Sequence, residues 1–394
     1  MQRFVIIGGG VAGTTAAEVI RKRLPDADIT IVEAEGYPLY SRVLLRNVVK
    51  GQIERERVFL KKPTWYDEHK IELLTHTRVV RIDVQNQFVE TDSARELPFD
   101  KLLIATGGDV RLIAQDLRGV SYFRTLDDTD HLMQLLRSTA ALPKETRHGV
   151  TLGSSFIALD YINLYHRFEI PQTVIMRGTG FWSSTLSRET SDMLIAHCKE
   201  KGVSFYVDQE DITLLGETEL SGVRLKDGTE IQAQMLGVGI GIDADFALLK
   251  SAGLQVEKGI LCNEFLETSV ANVYTAGDVA EFNDTIVERR HVVGNWTNAL
   301  MQGRAAGATM AGERTPFGVV TGYTTELLGL EMAFVGDTHR ASSDNVRTAI
   351  LGNNQALELF ERNGRTVGAV LIGNVKARQA ITDAIKTKTL YVAQ

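Results

Sequence analysis

Apolar residues along the chain fall into short runs that are separated by glycine turns and helical patterns. The first run, Phe4-Val5-Ile6-Ile7, leads into a glycine-rich turn at 8–13 and then an alanine-rich helical pattern. A second apolar run at 29–32 ends on Glu33. Short β-prone runs predict buried strands, and the segment between them predicts a helix. The order strand, turn, helix, strand and acid therefore predicts a β-α-β unit.

The turn has the spacing G-x-G-x-x-G, in which each glycine has a separate task. Gly8 permits a tight turn, Gly10 lets the backbone approach a pyrophosphate, and Gly13 lets the helix pack on the strand. The helix start adds free N–H groups and the positive end of its dipole. Glu33 follows Gly13 by 20 residues, where a carboxylate can accept hydrogen bonds from ribose hydroxyls. An ordinary glycine turn is the alternative, but the complete unit predicts a nucleotide site.

A second segment with the same pattern begins near residue 150. An apolar run at 150–152 leads into the small-residue turn 153–155, and a helical pattern extends to about Phe168. The next apolar run ends on Arg177. This arginine follows Ala158, the last small residue of the repeated motif, by 19 positions. Two such units in one chain predict two dinucleotides.

The remaining runs predict further strands around the two units. Strands are expected between the units at 78–83, 88–91 and 102–104, and a β-meander after them at 203–207 and 222–225. Beyond Pro316, runs at 356–360 and 367–372 and a closing helix at about 375–385 predict a small α+β domain.

Composition limits the function classes. The chain has 394 residues, enough for two or three domains, and a net charge of −7 argues against a nucleic-acid partner. Cys198 and Cys262 form no C-x-x-C pair, so neither a metal site nor a dithiol centre is expected. No apolar stretch reaches bilayer length and no signal peptide precedes the first turn, so we expect no membrane span and a cytoplasmic location.

Three spaced motifs resemble one family, the FAD-dependent pyridine nucleotide oxidoreductases. The motifs are Gly8-x-Gly10-x-x-Gly13 with Glu33, Ala105-Thr106-Gly107, and Thr275-Ala276-Gly277-Asp278. Other segments resemble the rubredoxin reductase and nitrite reductase flavoprotein-domain group: Tyr40-Ser41-Arg42-Val43-Leu44-Leu45 with Gly51, Gly241-Ile242 with Gly253-Leu254, and Ala299-x-x-Gln302-Gly303.

The resemblance implies an α/β fold with two Rossmann-like dinucleotide-binding domains, similar to glutathione reductase, and a small C-terminal α+β domain. FAD would occupy a discontinuous domain, 1–113 plus 240–316. NAD(P)H would occupy 114–239, and the α+β domain would span 317–394. The flavin would carry the chemistry, so no catalytic side chain is expected.

The resemblance also implies the site residues. Those expected at FAD are Gly8, Gly10, Ala12, Gly13, Glu33, Arg42, Val80, Ala105, Thr106, Gly107, Gly277, Asp278 and Trp296. Asp278 would accept a hydrogen bond from the ribityl chain, whereas Trp296 is equally well explained as a core residue. Those expected at NAD(P)H are Gly153, Ser155, Ala158, Asp160, Arg177 and Gly241.

The second site departs from the family pattern. Ser155 replaces a glycine, and its side chain either crowds a pyrophosphate or donates a hydrogen bond to it. Arg177 resembles the residue of NADPH-using members that pairs with the 2′-phosphate, which favours NADPH over NADH. A solvated surface arginine is the alternative, and the extra carboxylates of Asp243 and Asp245 do not favour a phosphate nearby.

Two further departures bear on the reaction. Asn47 stands where electron-transfer relatives place a lysine beside the flavin, with Arg46 adjacent. No cysteine lies near Arg42, which excludes disulfide reductase chemistry. We therefore expect an NAD(P)H oxidoreductase that passes electrons to a small redox protein similar to rubredoxin or ferredoxin. The alternatives are an FAD-binding module with a degenerate NAD(P) site, and an NAD(P)H oxidase or quinone reductase; the sequence leaves the oligomeric state open.

Overall fold

The computed structural model describes residues 1–113, 117–352 and 354–392, and the chain divides into two compact units. Unit 1 comprises Met1–Val43, Glu56–Asp109 and Ile242–Thr321. Unit 2 comprises Leu44–Arg55, Val110–Gly241 and Gly322–Gln394. Both units are discontinuous in sequence, and each contains one parallel β-sheet.

The strands of the first half of the chain are β1 (Arg3–Ile7), β2 (Asp28–Val32), β3 (Ile71–Leu74), β4 (Val79–Asp83), β5 (Phe88–Thr91), β6 (Glu96–Pro98), β7 (Lys101–Ile104), β8 (Asp109–Val110), β9 (Val120–Ser121), β10 (Gly149–Leu152), β11 (Gln172–Ile175), β12 (Val203–Tyr206) and β13 (Ile212–Leu215). The later strands are β14 (Gly222–Leu225), β15 (Glu230–Gln232), β16 (Met235–Val238), β17 (Ile242–Asp243), β18 (Ile260–Cys262), β19 (Val273–Thr275), β20 (Ala280–Asp284), β21 (Arg289–Val292), β22 (Gly322–Leu327), β23 (Leu330–Gly336), β24 (Asn345–Gly352), β25 (Gln355–Arg362) and β26 (Arg365–Ile372).

The helices are α1 (Val11–Arg23), α2 (Leu45–Val49), α3 (Pro63–Glu68), α4 (Leu126–Ala140), α5 (Phe156–Arg167), α6 (Arg188–Glu200), α7 (Phe246–Ser251), α8 (Trp296–Met310) and α9 (Arg378–Lys386). Short 3-10 helices cover Arg42–Leu44, Arg55–Val58 and Arg340–Ser342. Among the described residues, no helix combines the length and the apolar character needed to cross a membrane.

The parallel sheet of unit 1 has the strand order β19-β7-β1-β2-β3. Its strands are almost wholly buried, because α1 and α8 cover one face and the antiparallel sheet β4-β5-β6 with α7 covers the other, which explains their continuous apolar runs. Ile7 pairs with both Val32 and Ile104, and Thr275 pairs with Ile104. The carboxyl ends of β1, β2, β7 and β19 therefore lie side by side at one edge, where ligands bind in sheets of this kind.

Small residues bring α1 and α8 of unit 1 close together. A Cβ added to Gly303 would lie 2.3 Å from the carbonyl oxygen of Ala12, and one added to Gly307 would lie 2.7 Å from that of Ala16. Any larger residue would force the helices apart. This packing fixes the first two turns of α1 against α8.

Unit 2 repeats the parallel arrangement with the strand order β12-β11-β10-β16-β9. Helix α5 follows β10 just as α1 follows β1. The same unit contains the antiparallel sheet β22-β23-β26-β25-β24, and α9 packs against β23 and β26 of that sheet. Asn163 on α5 joins the two sheets, because its amide donates to the Glu326 carbonyl at 2.8 Å and its oxygen accepts from Leu328 N–H at 2.8 Å.

The structure confirms most of the predicted elements and corrects one of them. The segment 203–207 was expected in a β-meander, but β12 is an edge strand of the parallel sheet and pairs with β11. Only β13, β14 and β15 form the antiparallel meander. The error arises because a short β-prone run does not reveal whether its partner is parallel or antiparallel. The division into three domains at 113, 239 and 316 stays a prediction.

Candidate functional site

The turn after β1 contains two glycines that packing requires and one that it does not. Gly8 has φ +103°, and a Cβ there would lie 2.3 Å from the Ala105 carbonyl oxygen. A Cβ at Gly13 would lie 1.9 Å from the Gly8 carbonyl oxygen. A Cβ at Gly10, in contrast, would meet no protein atom within 4 Å. The space in front of Gly10 therefore opens directly onto the start of α1.

The start of α1 has the features of an anion site. Gly10 is the N-cap and supplies no side-chain capping bond, and the first turn of α1 has no acidic residue. The first N–H groups of a helix have no partners within the helix, and the dipole adds positive potential there. The basic residues of α1 all lie in its last turn. An open cradle of backbone donors without a competing carboxylate fits a pyrophosphate.

Glu33 is fixed beside this turn. One of its carboxylate oxygens accepts the Gly9 N–H at 2.6 Å and the other accepts the Glu35 N–H at 2.9 Å. Burial raises the pKa of the Glu33 carboxyl, and these two backbone bonds oppose the rise. Each oxygen keeps a lone pair, so the carboxylate can also accept the hydroxyl groups of a ribose.

Arg42, Tyr40 and Glu35 form a network next to Glu33. The Arg42 guanidinium pairs with the Glu35 carboxylate and donates to the Tyr40 hydroxyl at 2.9 Å. Tyr40 in turn donates to Glu35 at 2.6 Å. Arg42 was predicted as a site residue but Glu35 was not, because an acid three residues after a strand has no distinguishing motif. The network fixes the direction of the Arg42 side chain.

The segments after β7 and β19 complete the edge of this sheet. Ala105, Thr106 and Gly107 follow β7, and Gly277 follows β19 with φ +84°. The Gly277 N–H donates to the side-chain oxygen of the fully buried Gln302 at 2.7 Å. A Cβ at Gly277 would lie 3.3 Å from the Cβ of Ala12. The structure therefore brings these predicted residues to one edge, together with the turn after β1.

The other residues predicted at FAD lie around this edge in different settings. Asp278 is partly exposed, and its carboxyl carbon is 3.8 Å from the position of a Cβ at Gly294. Trp296 begins α8 and packs against the core of unit 1 while part of it stays exposed. Val80 is half exposed on β4, in the separate antiparallel sheet β4-β5-β6. A direct contact between Val80 and FAD stays a prediction.

The turn after β10 in unit 2 reproduces the geometry of the turn after β1. Gly153 has φ +134°, and a Cβ there would lie 2.3 Å from the Gly239 carbonyl oxygen. Ser155, the N-cap of α5, has an extended backbone and makes no side-chain capping bond. Ala158 is fully buried at the position that corresponds to Gly13. The serine hydroxyl is thus not engaged in capping its own helix.

Arg177 and Gly241 each lie shortly after a strand of the parallel sheet of unit 2, Arg177 after β11 and Gly241 after β16. Arg177 follows β11 after one intervening residue and is exposed, and within the described part of the chain no carboxylate pairs with it. Gly241 is exposed with φ +104°, and its carbonyl accepts the Arg111 N–H at 3.1 Å. Asp245, which was expected to disfavour a phosphate, instead caps α7 by accepting the Leu248 N–H at 3.1 Å.

Asp160 lies one turn into α5 and faces α2. Its carboxylate is 3.9 Å from the guanidinium of Arg46, which is an ion pair without a hydrogen bond. Burial raises the pKa of the Asp160 carboxyl from 3.8 to about 6, and Arg46 and Lys50 only partly oppose the rise. The structure therefore assigns Arg46 a partner that the sequence did not indicate. A contact between Asp160 and NAD(P)H stays a prediction.

Neither cysteine is suited to redox chemistry. Cys198 in unit 2 and Cys262 in unit 1 are both buried free thiols. Burial raises the pKa of each thiol to about 12, so both stay protonated at neutral pH. Among the described residues, no cluster of histidine, cysteine, aspartate or glutamate side chains is arranged to hold a metal ion.

The raised pKa of Asp160 predicts a pH-dependent loss of stability. The folded protein binds a proton at Asp160 more tightly than the unfolded chain, so its stability falls as pH rises from about 4 to about 6. Relative to Asp160→Asn, the wild type should lose roughly 3 kcal/mol of unfolding free energy over this range and no more above it. Urea denaturation at a series of pH values measures the difference.

Asp192→Asn provides the control, because Asp192 is an exposed carboxylate paired with Arg188 on α6. Its difference from the wild type should stay within about 0.5 kcal/mol at every pH. A pH-independent difference for Asp160→Asn would show that Asp160 is ionised as readily in the folded protein as in the unfolded chain.

Known proteins are similar to this chain in sequence and in fold. A family model described as pyridine nucleotide-disulphide oxidoreductase matches residues 2–303. The assimilatory nitrate reductase electron transfer subunit of Bacillus subtilis (strain 168) is 26% identical over 404 residues, which cover 100% of this chain and 50% of that protein. Rubredoxin-NAD(+) reductase of Pseudomonas putida is 24% identical over 390 residues, which cover 97% of this chain and 98% of that protein.

The chain thus spans about half the length of the curated relatives that it matches first. Among solved structures, the ferredoxin reductase for the CYP199A2 system of Rhodopseudomonas palustris is similar with a TM-score of 0.89 at 20% identity. That match covers 100% of this chain and 96% of the other, and it confirms the predicted fold class. Because the family model matches well over half of the residues, the chain belongs to the pyridine nucleotide-disulphide oxidoreductase family.

Proposed function

We propose that this protein is an FAD-dependent NAD(P)H oxidoreductase. It takes hydride from NAD(P)H onto FAD and then passes the electrons to a small redox protein of the rubredoxin or ferredoxin type. FAD binds at the edge formed by the turn after β1 and the segments after β2, β7 and β19. NAD(P)H binds at the turn after β10.

One observation carries the proposal: the chain contains two dinucleotide turns with matching geometry. Gly8 and Gly153 each leave room for a neighbouring carbonyl oxygen, because a Cβ at either would lie 2.3 Å from it. Each turn opens a helix at the carboxyl edge of a parallel sheet. One nucleotide site would suit many functions, but two in one chain of this family support transfer between two cofactors.

The chain's own residues contribute binding and orientation. The start of α1 holds the pyrophosphate, Glu33 holds the ribose, and Asp278 accepts a hydrogen bond from the ribityl chain. FAD, when bound, supplies the hydride-accepting and electron-transferring chemistry. With both thiols buried and protonated, no protein group is available to relay electrons through a disulfide. The protein therefore delivers electrons directly to its acceptor.

The relatives support a protein acceptor. The Pseudomonas putida relative is matched over nearly its whole length and is named a rubredoxin-NAD(+) reductase. The Bacillus subtilis relative is named an electron transfer subunit, although the chain covers 50% of it. The first name favours a small iron protein as the acceptor and the second favours a protein acceptor, whereas the name NADH oxidase of another relative favours oxygen as the rival acceptor.

Two features favour the rival proposal of an FAD-binding module that uses NAD(P)H poorly. Ser155 adds a side chain where a pyrophosphate needs close approach of the backbone. In addition, the backbone N–H of Trp182 donates to the Ser154 carbonyl at 3.1 Å, which places the loop between β11 and α6 against the turn. Gly153 and Ala158 nevertheless keep small residues at the other two positions of the turn, as a dinucleotide turn requires.

Anaerobic reduction tests the proposal. The purified flavoprotein is mixed rapidly with NADPH or NADH, and the loss of visible flavin absorbance is followed. We expect bleaching with at least one nucleotide on a catalytic timescale, about 1 per second or faster. Protein that carries flavin but is bleached by neither nucleotide would support the binding module instead.

Replacing Gly10 tests the FAD site separately from folding. Gly10→Val adds a side chain whose Cβ meets no protein atom within 4 Å, and the backbone of Gly10, with φ −64° and ψ −171°, is extended. The apoprotein of this variant should keep the unfolding midpoint of the wild-type apoprotein, but the variant should not bind FAD. The FAD content is measured as the ratio of flavin absorbance to protein absorbance in the visible and ultraviolet, and this ratio should fall to about zero. Gly13→Val is the contrasting variant, because it clashes with Gly8 and should impair folding itself. A fully yellow Gly10→Val protein would contradict the assignment.

Arg177 tests the choice of nucleotide. If Arg177 pairs with a 2′-phosphate, Arg177→Ala should raise the KM for NADPH about tenfold to a hundredfold and leave that for NADH unchanged. Arg188→Ala is the control, because Arg188 is exposed in the same unit but is already paired with Asp192. Equal effects on both nucleotides would assign Arg177 to the solvated surface.

A further inference from the structure

The residues that follow Arg177 form a loop that returns to the second dinucleotide turn. We call residues 177–187 the serine loop; it connects β11 with α6. The side chain of Phe181 in this loop is fully buried, and the backbone N–H of Trp182 donates to the Ser154 carbonyl at 3.1 Å. The loop therefore lies against the turn that begins α5, with Arg177 at one end.

Two charged residues hold the other end of the serine loop, one on the antiparallel sheet of unit 2 and one on the short 3-10 helix between β23 and β24. Glu358 on β25 is fully buried, and one carboxylate oxygen accepts the Ser187 N–H at 2.8 Å. Its other oxygen pairs with the Arg340 guanidinium. Arg340 also donates its backbone N–H to the Ser184 carbonyl at 3.0 Å and its Nε to the Thr185 carbonyl at 3.3 Å. Three hydrogen bonds thus connect this pair with the loop, at Ser184, Thr185 and Ser187.

The short helix that carries Arg340 is itself braced. Arg362 donates to the Ser342 carbonyl at 2.6 Å and pairs with the buried carboxylate of Asp337 at 2.7 Å. Arg340 therefore reaches the loop from a fixed base. The loop conformation is specified from the sheet and does not depend on the bonds within the loop alone.

Stability alone is a poor explanation for this arrangement. A buried ion pair loses much of its attraction to desolvation, and well-packed apolar residues would stabilise the sheet at least as well. What the pair adds is direction, because a guanidinium and a carboxylate accept only a narrow range of geometries. Its hydrogen bonds end on the backbone of the serine loop, and that loop contacts the second turn.

We propose that Glu358 and Arg340 are positioning residues for the NAD(P)H site, which they act on through the serine loop. They fix the end of the loop at Ser187, and the loop in turn keeps Arg177 and the backbone at Ser154 in place for the nucleotide. This inference rests on the proposed function. It assigns a role in nucleotide affinity to a part of the chain that contains neither dinucleotide turn.

Glu358→Gln is the first test. The amide keeps an acceptor for Ser187 but turns an NH2 group towards the Arg340 guanidinium, so the pair becomes two opposed donors. We expect the Kd for NADP⁺ or NAD⁺, measured by titration calorimetry of the flavin-loaded protein, to rise about tenfold. FAD content should stay at the wild-type level, because the FAD site lies in unit 1.

Glu361→Gln is the matched control. Glu361 lies on the same strand, and its carboxylate pairs with Arg347 and accepts the Asn345 side-chain amide, both of which lie on β24 of the same sheet. It should bind both nucleotides as the wild type does. Arg340→Lys keeps the charge opposite Glu358 but loses the guanidinium fork, so its Kd should lie between those of the wild type and Glu358→Gln. This conservative variant carries the test if Glu358→Gln does not fold.

Trp182 gives a readout that does not depend on nucleotide. Its fluorescence is isolated as the difference between each protein and the same protein with Trp182→Phe, which removes one of the three tryptophans. Glu358→Gln and Arg340→Lys should shift the Trp182 emission and speed proteolysis within 177–187, whereas Glu361→Gln should change neither. A purely structural role would lower the unfolding midpoint without these local changes.

The outcomes separate the inference from the proposed function. Wild-type protein that binds neither nucleotide contradicts the proposed function and the affinity role with it. Wild-type protein that binds, together with Glu358→Gln and Arg340→Lys proteins of unchanged Kd, overturns only the inference. An increase in Kd that Glu361→Gln shares equally also overturns it, because the effect would then belong to the sheet as a whole.

Discussion

Both dinucleotide turns of this protein depend on the close approach of a backbone carbonyl oxygen to a glycine at the end of a strand. Gly8 and Gly153 each face a carbonyl oxygen from the neighbouring strand at a distance that no side chain would permit. This contact holds each turn flat against its sheet, so that the following helix begins at the edge where the strands end. The open space at Gly10 and the exposed start of α5 both depend on it.

Periodicity and glycine spacing predicted much of this from the sequence. Strands β1, β2, β10 and β14 lie within one residue of the expected runs, since fully buried strands give continuous apolar segments with clear ends. The edge strand β12 was assigned to the wrong sheet, because neither its length nor its composition records the direction of its partner. The grouping of Gly8, Glu33, Ala105 and Gly277 at one edge also followed from the order of the motifs.

Side-chain pairs across long separations could not be predicted in the same way. Glu358 and Ser187 are 171 positions apart, and no local pattern marks either one. Arg46 was considered only for its position beside Asn47, yet its partner Asp160 lies on a helix that begins more than a hundred residues later. Buried polar groups must find partners, but the sequence does not say which ones. The first pair joins the antiparallel sheet of unit 2 to the start of α6, and the second joins α2 to α5.

The state of the two thiols sets a limit on what the polypeptide can store. Both cysteines are buried, separate and protonated, so the chain has no dithiol that could store an electron pair as a disulfide is reduced. Under the function proposed above, the number of electrons that the protein can hold would equal the number held by its flavin. Such a protein would not accumulate reducing equivalents during a burst of supply, and its turnover would depend on how promptly an acceptor arrives.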